Sequence, residues 1–230
     1  MDAAPNDQPA FRKDVALSEV TMSRRQLAES ELPVYPGISQ DRVTLVDTAD
    51  RAAQALAALL AAPVLGFDTE SKPTFLKGEV STGPHLVQLA TDHHVFLLPV
   101  SLAANHEVLR RVLSAPEILK VGLGLGNDKS VLRSRLGIEL NNVLDLGEVM
   151  RGPGHRGTVG AKVAVAHYFG QKLQKSKKVG TSNWASPRLN ERQVLYAAND
   201  AHVALQLYHA WLCDPDRQEP GAKSQEKNHG

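Results

Sequence analysis

Two carboxylates stand one residue apart at the end of an apolar run, Asp68 and Glu70 in PVLGFDTE (residues 63 to 70). In a strand, alternation throws both acids to one face about one pleat apart, with Phe67 and Thr69 on the other. Neighbouring acids repel unless a proton or a cation lies between them, and a close pair of oxygen donors is what a hard divalent ion takes. Asp128 follows the glycine-rich stretch VGLGLGN and falls in the first turn of a helix, whose positive end stabilises a carboxylate. Tyr196 and Asp200, four apart, share one face of the last helix. An aspartate in the middle of an alanine-rich helix has poor propensity and no cap to form. Beside Tyr196 and Val203, and without a basic partner in its own helix, Asp200 reads as a half-buried acid that a metal would satisfy.

The glycine-rich stretch also invites a dinucleotide reading, which its spacing defeats. Counting Gly-x-Gly-x-x-Gly from Gly122 puts Asn127 at the third glycine, and counting from Gly124 puts Lys129 there. The glycines instead allow a tight turn that delivers Asp128. Asp145, a fifth acid at a strand end, reads as the cap of the following helix. His93 and His94 are adjacent in a turn and diverge, His155 lies in a glycine-rich surface loop, and His202 points away from Asp200, so none of them reads as a ligand. Lys172, Lys175, Lys177 and Lys178 form an exposed basic loop just before Trp184. Lys175, Lys177, Lys178 and Trp184 are the expected nucleic-acid contacts.

The elements that must carry these residues follow from pattern. RVTLVD alternates as a strand, and Thr48 or Asp47 caps an alanine-rich helix to about residue 61. PVLGFDTE comes next, and residues 71 to 84, with two prolines and two glycines, form a loop. HLVQLAT and HVFLLPV are strands joined by a tight turn at Asp92 and His93, so the sheet begins as an antiparallel meander. A helix over about 103 to 114, the strand ILKVGLG, a helix from Asp128 to Leu136 and the strand NVLDL make crossover units, which are parallel. Then follow a mobile RGPGHRG, a helix closed by Gly170, the basic loop, and a final helix opened by Asn190 and running to about Leu212. The fold class is α/β, a mixed sheet flanked by helices, with residues 1–40 a partly disordered arm, 41–213 the domain and 214–230 a polar tail.

Composition narrows the function. The 26 basic and 25 acidic residues leave a net charge of +1, so any basic footprint is local. The single cysteine, Cys213, rules out a disulfide within the chain and fits a reducing compartment. The first twenty residues carry no secretory pattern, and the most apolar run, AAQALAALLAAPVLG, is too short to span a bilayer and is broken by Pro63. A cytoplasmic protein is expected, with no membrane partner.

Taken together, FDTE, the glutamine strand HLVQLA, VGLGLGNDKSVL and above all SNWASPRLNERQVLYAANDA resemble the DEDD superfamily of 3′-5′ exonucleases, from about Val43 to Leu212. The resemblance is to the tyrosine-bearing branch, ribonuclease D and Werner-type exonuclease domains. The position where the other branch carries histidine, five residues before the last aspartate, is Leu195. The resemblance implies a ribonuclease H-like fold and release of nucleotides from the 3′ end of DNA or RNA by a two-metal-ion mechanism. It implies that Asp68, Glu70, Asp128 and Asp200 bind two Mg²⁺ or Mn²⁺ ions and that Tyr196 orients the attacking water. Four bare carboxylates would repel an anionic phosphodiester, whereas ions held by them reverse the local charge, activate a water and stabilise the leaving oxygen. The alternative is a non-catalytic nucleic-acid-binding module on the same fold. A complete acid set argues against it.

Overall fold

In the computed structural model, the residues described are 32–74, 78–151, 157–215 and 217. Among them, six strands form one sheet: β1 (Val43–Leu45), β2 (Val64–Glu70), β3 (Leu86–Ala90), β4 (Val95–Pro99), β5 (Leu119–Gly122) and β6 (Val143–Asp145), in the order β1-β4-β3-β2-β5-β6. β2, β3 and β4 are the antiparallel meander, and β5 and β6 add to β2 in parallel. β1 departs from the expected order. It passes over the meander and lies parallel to β4 at the far edge, with Thr44 opposite Phe96. The helix α1 (Ala49–Leu60) then returns the chain to the sheet centre, capped by Thr48, whose hydroxyl accepts from Arg51 N–H.

Because β2 and β3 are covered on both faces, their residues are apolar nearly throughout. Leu65, Phe67, Val87 and Leu89 face α1, α2 (Ala103–Ser114) and α3 (Asp128–Leu136). Leu86 and Ala90 face α5 (Ala161–Phe169) and the long α7 (Glu191–Leu212). The described residues also form two short helices, α4 (Leu146–Val149) and α6 (Lys177–Gly180). Asn190 and Gln193 close a capping box that fixes where α7 begins.

Gly66 sets how α7 lies on the sheet. A Cβ at this position would fall 2.0 Å from the carbonyl oxygen of Ala201, so only glycine lets the helix backbone approach the strand so closely. This contact lies two residues before Asp68 and one after Asp200, and it brings those acids together.

Of the expected arm, residues 1–31 lie outside the described residues, and the part that follows is docked. Tyr35 N–H donates to Lys172 O and Lys172 N–H to Pro33 O, at 3.0 and 2.8 Å. Tyr35 stacks on Phe169, and Ile38 N–H donates to Asn199 Oδ1 at 2.9 Å. The basic stretch before α7 is likewise not an open loop: Leu173 and Trp184 are buried and α6 forms within it. The RGPGHRG segment falls mostly outside the described residues, His155 included. Among the described residues no helix is long and apolar enough to cross a membrane.

Candidate active site

The four acids named from sequence come from three elements. β2 carries Asp68 and Glu70 on the face toward α7, with Asp68 in register with Gln88 of β3 and Glu70 with Leu86. α7 lays Asp200 against them. Asp128 enters from the first turn of α3, held by Thr69, whose hydroxyl donates to Asp128 Oδ1 at 2.5 Å. Thr69 points to the sheet face opposite Asp68, so one strand serves the site from both sides. Its backbone N–H also donates to Asp68 Oδ1 at 2.9 Å. Sequence reading missed Thr69, which a threonine between two acids at a strand end could have signalled.

The electrostatics of the acids reflect their burial first and their influence on one another second. Burial pushes Asp68 up to about 8, and the charges of Asp200 and Asp128 add to this against the pull of Lys175. Glu70 rises to about 9, through burial first and then through Asp68 and Asp200. Burial also raises Asp128, opposed by the hydrogen bond from Thr69. Asp200 is raised by burial as well, with Lys175 drawing it back. At values near 8 and 9, Asp68 and Glu70 hold their protons near neutrality unless a cation joins them.

One cation is already there. Lys175 Nζ lies 2.9 Å from Asp200 Oδ1, and Asp200 is only 6% exposed. The sequence gives Asp200 no basic partner within its helix. The partner arrives from the preceding loop. Lys175 is therefore half-buried at the acid cluster rather than a solvated loop lysine, while Lys177 and Lys178 are exposed at the start of α6.

Tyr196 lies one turn before Asp200, with the Lys175 ammonium 5.4 Å from its ring centroid. The hydroxyl sits against Gly180, where a Cβ would fall 2.6 Å from it. Burial, then the charge of Asp200, pushes its pKa up to about 12. Trp184 corrects an expectation. It is 2% exposed, its indole N–H donates to Gly180 O at 3.1 Å, and its ring is tilted against Tyr196 at 6.0 Å. No base can stack on it; it braces Tyr196 and α6 from the core side.

Asp145 does more than cap α4. Besides accepting from Gly147 N–H, it accepts from Gly124 and Leu125 at 3.0 and 2.7 Å, pinning the turn whose positive φ at Gly124 leads into α3. His93 and His94 lie in the hairpin turn, at the far end of β3 from Leu86 and Glu70. His94 shares a hydrogen bond with Thr44. His202 is 8% exposed, and its Nδ1 has no partner among the described residues.

The donor set suits hard divalent cations: oxygens alone, gathered in a partly buried cluster whose members disfavour one another's charge. Among the described residues no three carboxylates or histidines already stand as a complete ligand set. Asp128 accepts from Thr69 and Asp200 pairs with Lys175, each through Oδ1.

A family model described as 3′-5′ exonuclease matches residues 43–212. The mouse bifunctional 3′-5′ exonuclease/ATP-dependent helicase WRN is 29% identical over 147 residues, covering 63% of this chain and 10% of that protein. The chain thus spans about a tenth of the length of that curated relative. The Aedes aegypti Nibbler EXO domain superposes with a TM-score of 0.61 at 28% identity, covering 75% of this chain and 88% of that one. Trypanosoma brucei RNase D, solved in complex with RNA U12, superposes with a TM-score of 0.67 at 24% identity over 76% of this chain and 64% of that one.

Proposed function

The chain belongs to the 3′-5′ exonuclease family, and we propose that it removes nucleotides one at a time from the 3′ end of DNA or RNA by metal-dependent phosphodiester hydrolysis. The observation that carries this reading is the convergence of Asp68, Glu70, Asp128 and Asp200 from β2, α3 and α7 on one partly buried cluster. These four would hold two Mg²⁺ or Mn²⁺ ions. Bound there, the ions supply positive charge to an anionic substrate, a more acidic water and stabilisation of the leaving 3′-oxygen.

The chain's own residues divide the remaining work. Thr69 orients the Asp128 carboxylate. Tyr196, with its pKa near 12, keeps its proton at neutral pH and so positions a water by hydrogen bonding rather than acting as a base. Trp184 and Gly180 fix the phenol's place. Exposed Lys177 and Lys178 contact backbone phosphates without reading sequence.

The test is to incubate 5′-labelled DNA and RNA oligonucleotides with the protein and Mn²⁺, and to resolve the products by length. A ladder shortening from the 3′ end is expected, lost in EDTA and in Asp68→Ala, Glu70→Ala, Asp128→Asn and Asp200→Ala. Their losses should not add, because members of one site fail together. Undiminished cleavage in EDTA or in any one of these variants would overturn the assignment.

A further inference from the structure

Lys175 follows a stretch of backbone that is held in place. Three residues earlier, Lys172 exchanges backbone hydrogen bonds with the Pro33–Tyr35 segment, and Leu173 is buried in the core. These contacts fix where the chain passes. The Lys175 side chain then extends into the acid cluster, 30% exposed, to reach Asp200 at 2.9 Å across the face of Tyr196. Its charge also bears on Asp68 and Glu70. A lysine stem with four rotatable carbons can swing its ammonium by several ångströms without moving the backbone.

Building on the reading of the cluster as a divalent-metal site, we propose that Lys175 is its resident counter-ion, which competes with the metal for Asp200 and is displaced from it when the metal binds. A lone ammonium and a divalent ion cannot both sit against one small group of carboxylates without strong mutual repulsion. In the metal-free protein, Lys175 offsets part of the repulsion among four gathered acids. In the metal-bound protein, it is free to pair with an anion near Tyr196. The lysine thereby keeps an acidic site folded without metal, at the expense of metal affinity.

Removing the charge should therefore have two effects of opposite sign. Without metal, Lys175→Met leaves the acids uncompensated and lowers the melting temperature. With metal, the same variant binds more tightly, because no competitor has to leave. A lysine serving only as structural support would give the first effect alone.

The experiment is calorimetric titration of Mn²⁺ into the full chain, in the parent, Lys175→Met, Lys175→Gln and Lys177→Met, with thermal melting in EDTA alongside. Lys177 is exposed close by and reports what loss of a nearby charge does through solvent. Both Lys175 variants should bind Mn²⁺ about tenfold or more tightly, equivalent to about 1.4 kcal/mol, and Lys177→Met within about twofold. Their melting temperatures should fall in EDTA and recover with Mn²⁺. If Lys175→Met does not fold in EDTA, Lys175→Gln supplies the affinity comparison. Unchanged or weaker Mn²⁺ affinity in the Lys175 variants would overturn the inference alone. Failure of every protein, parent included, to take up Mn²⁺ would overturn the metal reading and this inference with it.

Discussion

Gly66→Ala tests the positioning of the site without touching any group proposed for chemistry. The new Cβ would lie 2.0 Å from Ala201 O, 3.0 Å from its carbonyl carbon and 3.1 Å from Leu205 Cβ, where ordinary contact begins at 3.4 Å. Nothing in that list is the end of a flexible side chain. Gly66 is paired on one side with Ala90 and on the other with Val121, so the strand is held in place. α7 must lift, by about 1.4 Å to reach ordinary contact. Overpacking of this kind costs about 1 to 3 kcal/mol. Asp200 and Tyr196 travel with the helix while Asp68 and Glu70 stay on the strand, and misplacement by about 1 Å lowers turnover on the order of 100-fold. Urea unfolding followed by circular dichroism reads the first effect, and single-turnover cleavage at saturating Mn²⁺ reads the second. Ala201→Gly should not rescue, since the clash is with backbone. Gly126→Ala, where nothing lies within 4 Å of the added atom, should stay within about 0.5 kcal/mol of the parent. A Gly66→Ala protein with parental midpoint and parental rate would refute the claim that α7 is docked through this glycine.

Tyr196→Phe keeps the ring against Trp184 and removes only the hydroxyl, so folding and Mn²⁺ affinity should hold while single-turnover rate falls on the order of 10- to 1,000-fold. A parental rate would make Tyr196 a packing residue, and a loss of substrate affinity instead would make it a binding one. Metal-free stability should depend on pH in a stated direction. Asp68 and Glu70 have folded values near 8 and 9, above their ordinary range, so their contribution is fully present below about pH 4 and is lost as pH rises through those values. Denaturant midpoints in EDTA should therefore fall from about pH 5 to 9, and Mn²⁺ should flatten the decline. A flat profile in EDTA would show that the acids are not gathered as described.

What could be read from sequence was what local chemistry dictates. Thr48 and Asn190 cap helices because their side chains reach donors three residues away, and Asp128 opens α3 because helix starts favour acids. The alternation of β2 put Asp68 and Glu70 on one face, as found. The contacts that determine charge and edge order lie far apart in the chain. β1 is three residues long, and nothing within it shows that its partner is β4 rather than β2. Lys175 and Asp200 are separated by the buried Trp184 and by α6, so a run of lysines read as a surface loop when one of them turns inward. The hydropathy of QKLQKSKKVGTSNWASPRL is that of a loop, and only packing against Tyr196 and α7 buries its tryptophan.

The Pro33–Ile38 segment separates the limits of kinship from the limits of folding. The residues shared with the exonuclease family begin at 43, at the first strand. A protein cut there would keep the whole sheet and all four acids. It would also leave Lys172 without its two backbone partners, Phe169 without the ring stacked on it, and Asn199 without the amide it accepts from. Those losses fall on the stretch that carries Lys175 and on the helix that carries Tyr196 and Asp200. Homology would draw the border after this segment, and mechanics draws it before. A fragment that keeps these contacts starts no later than Pro33.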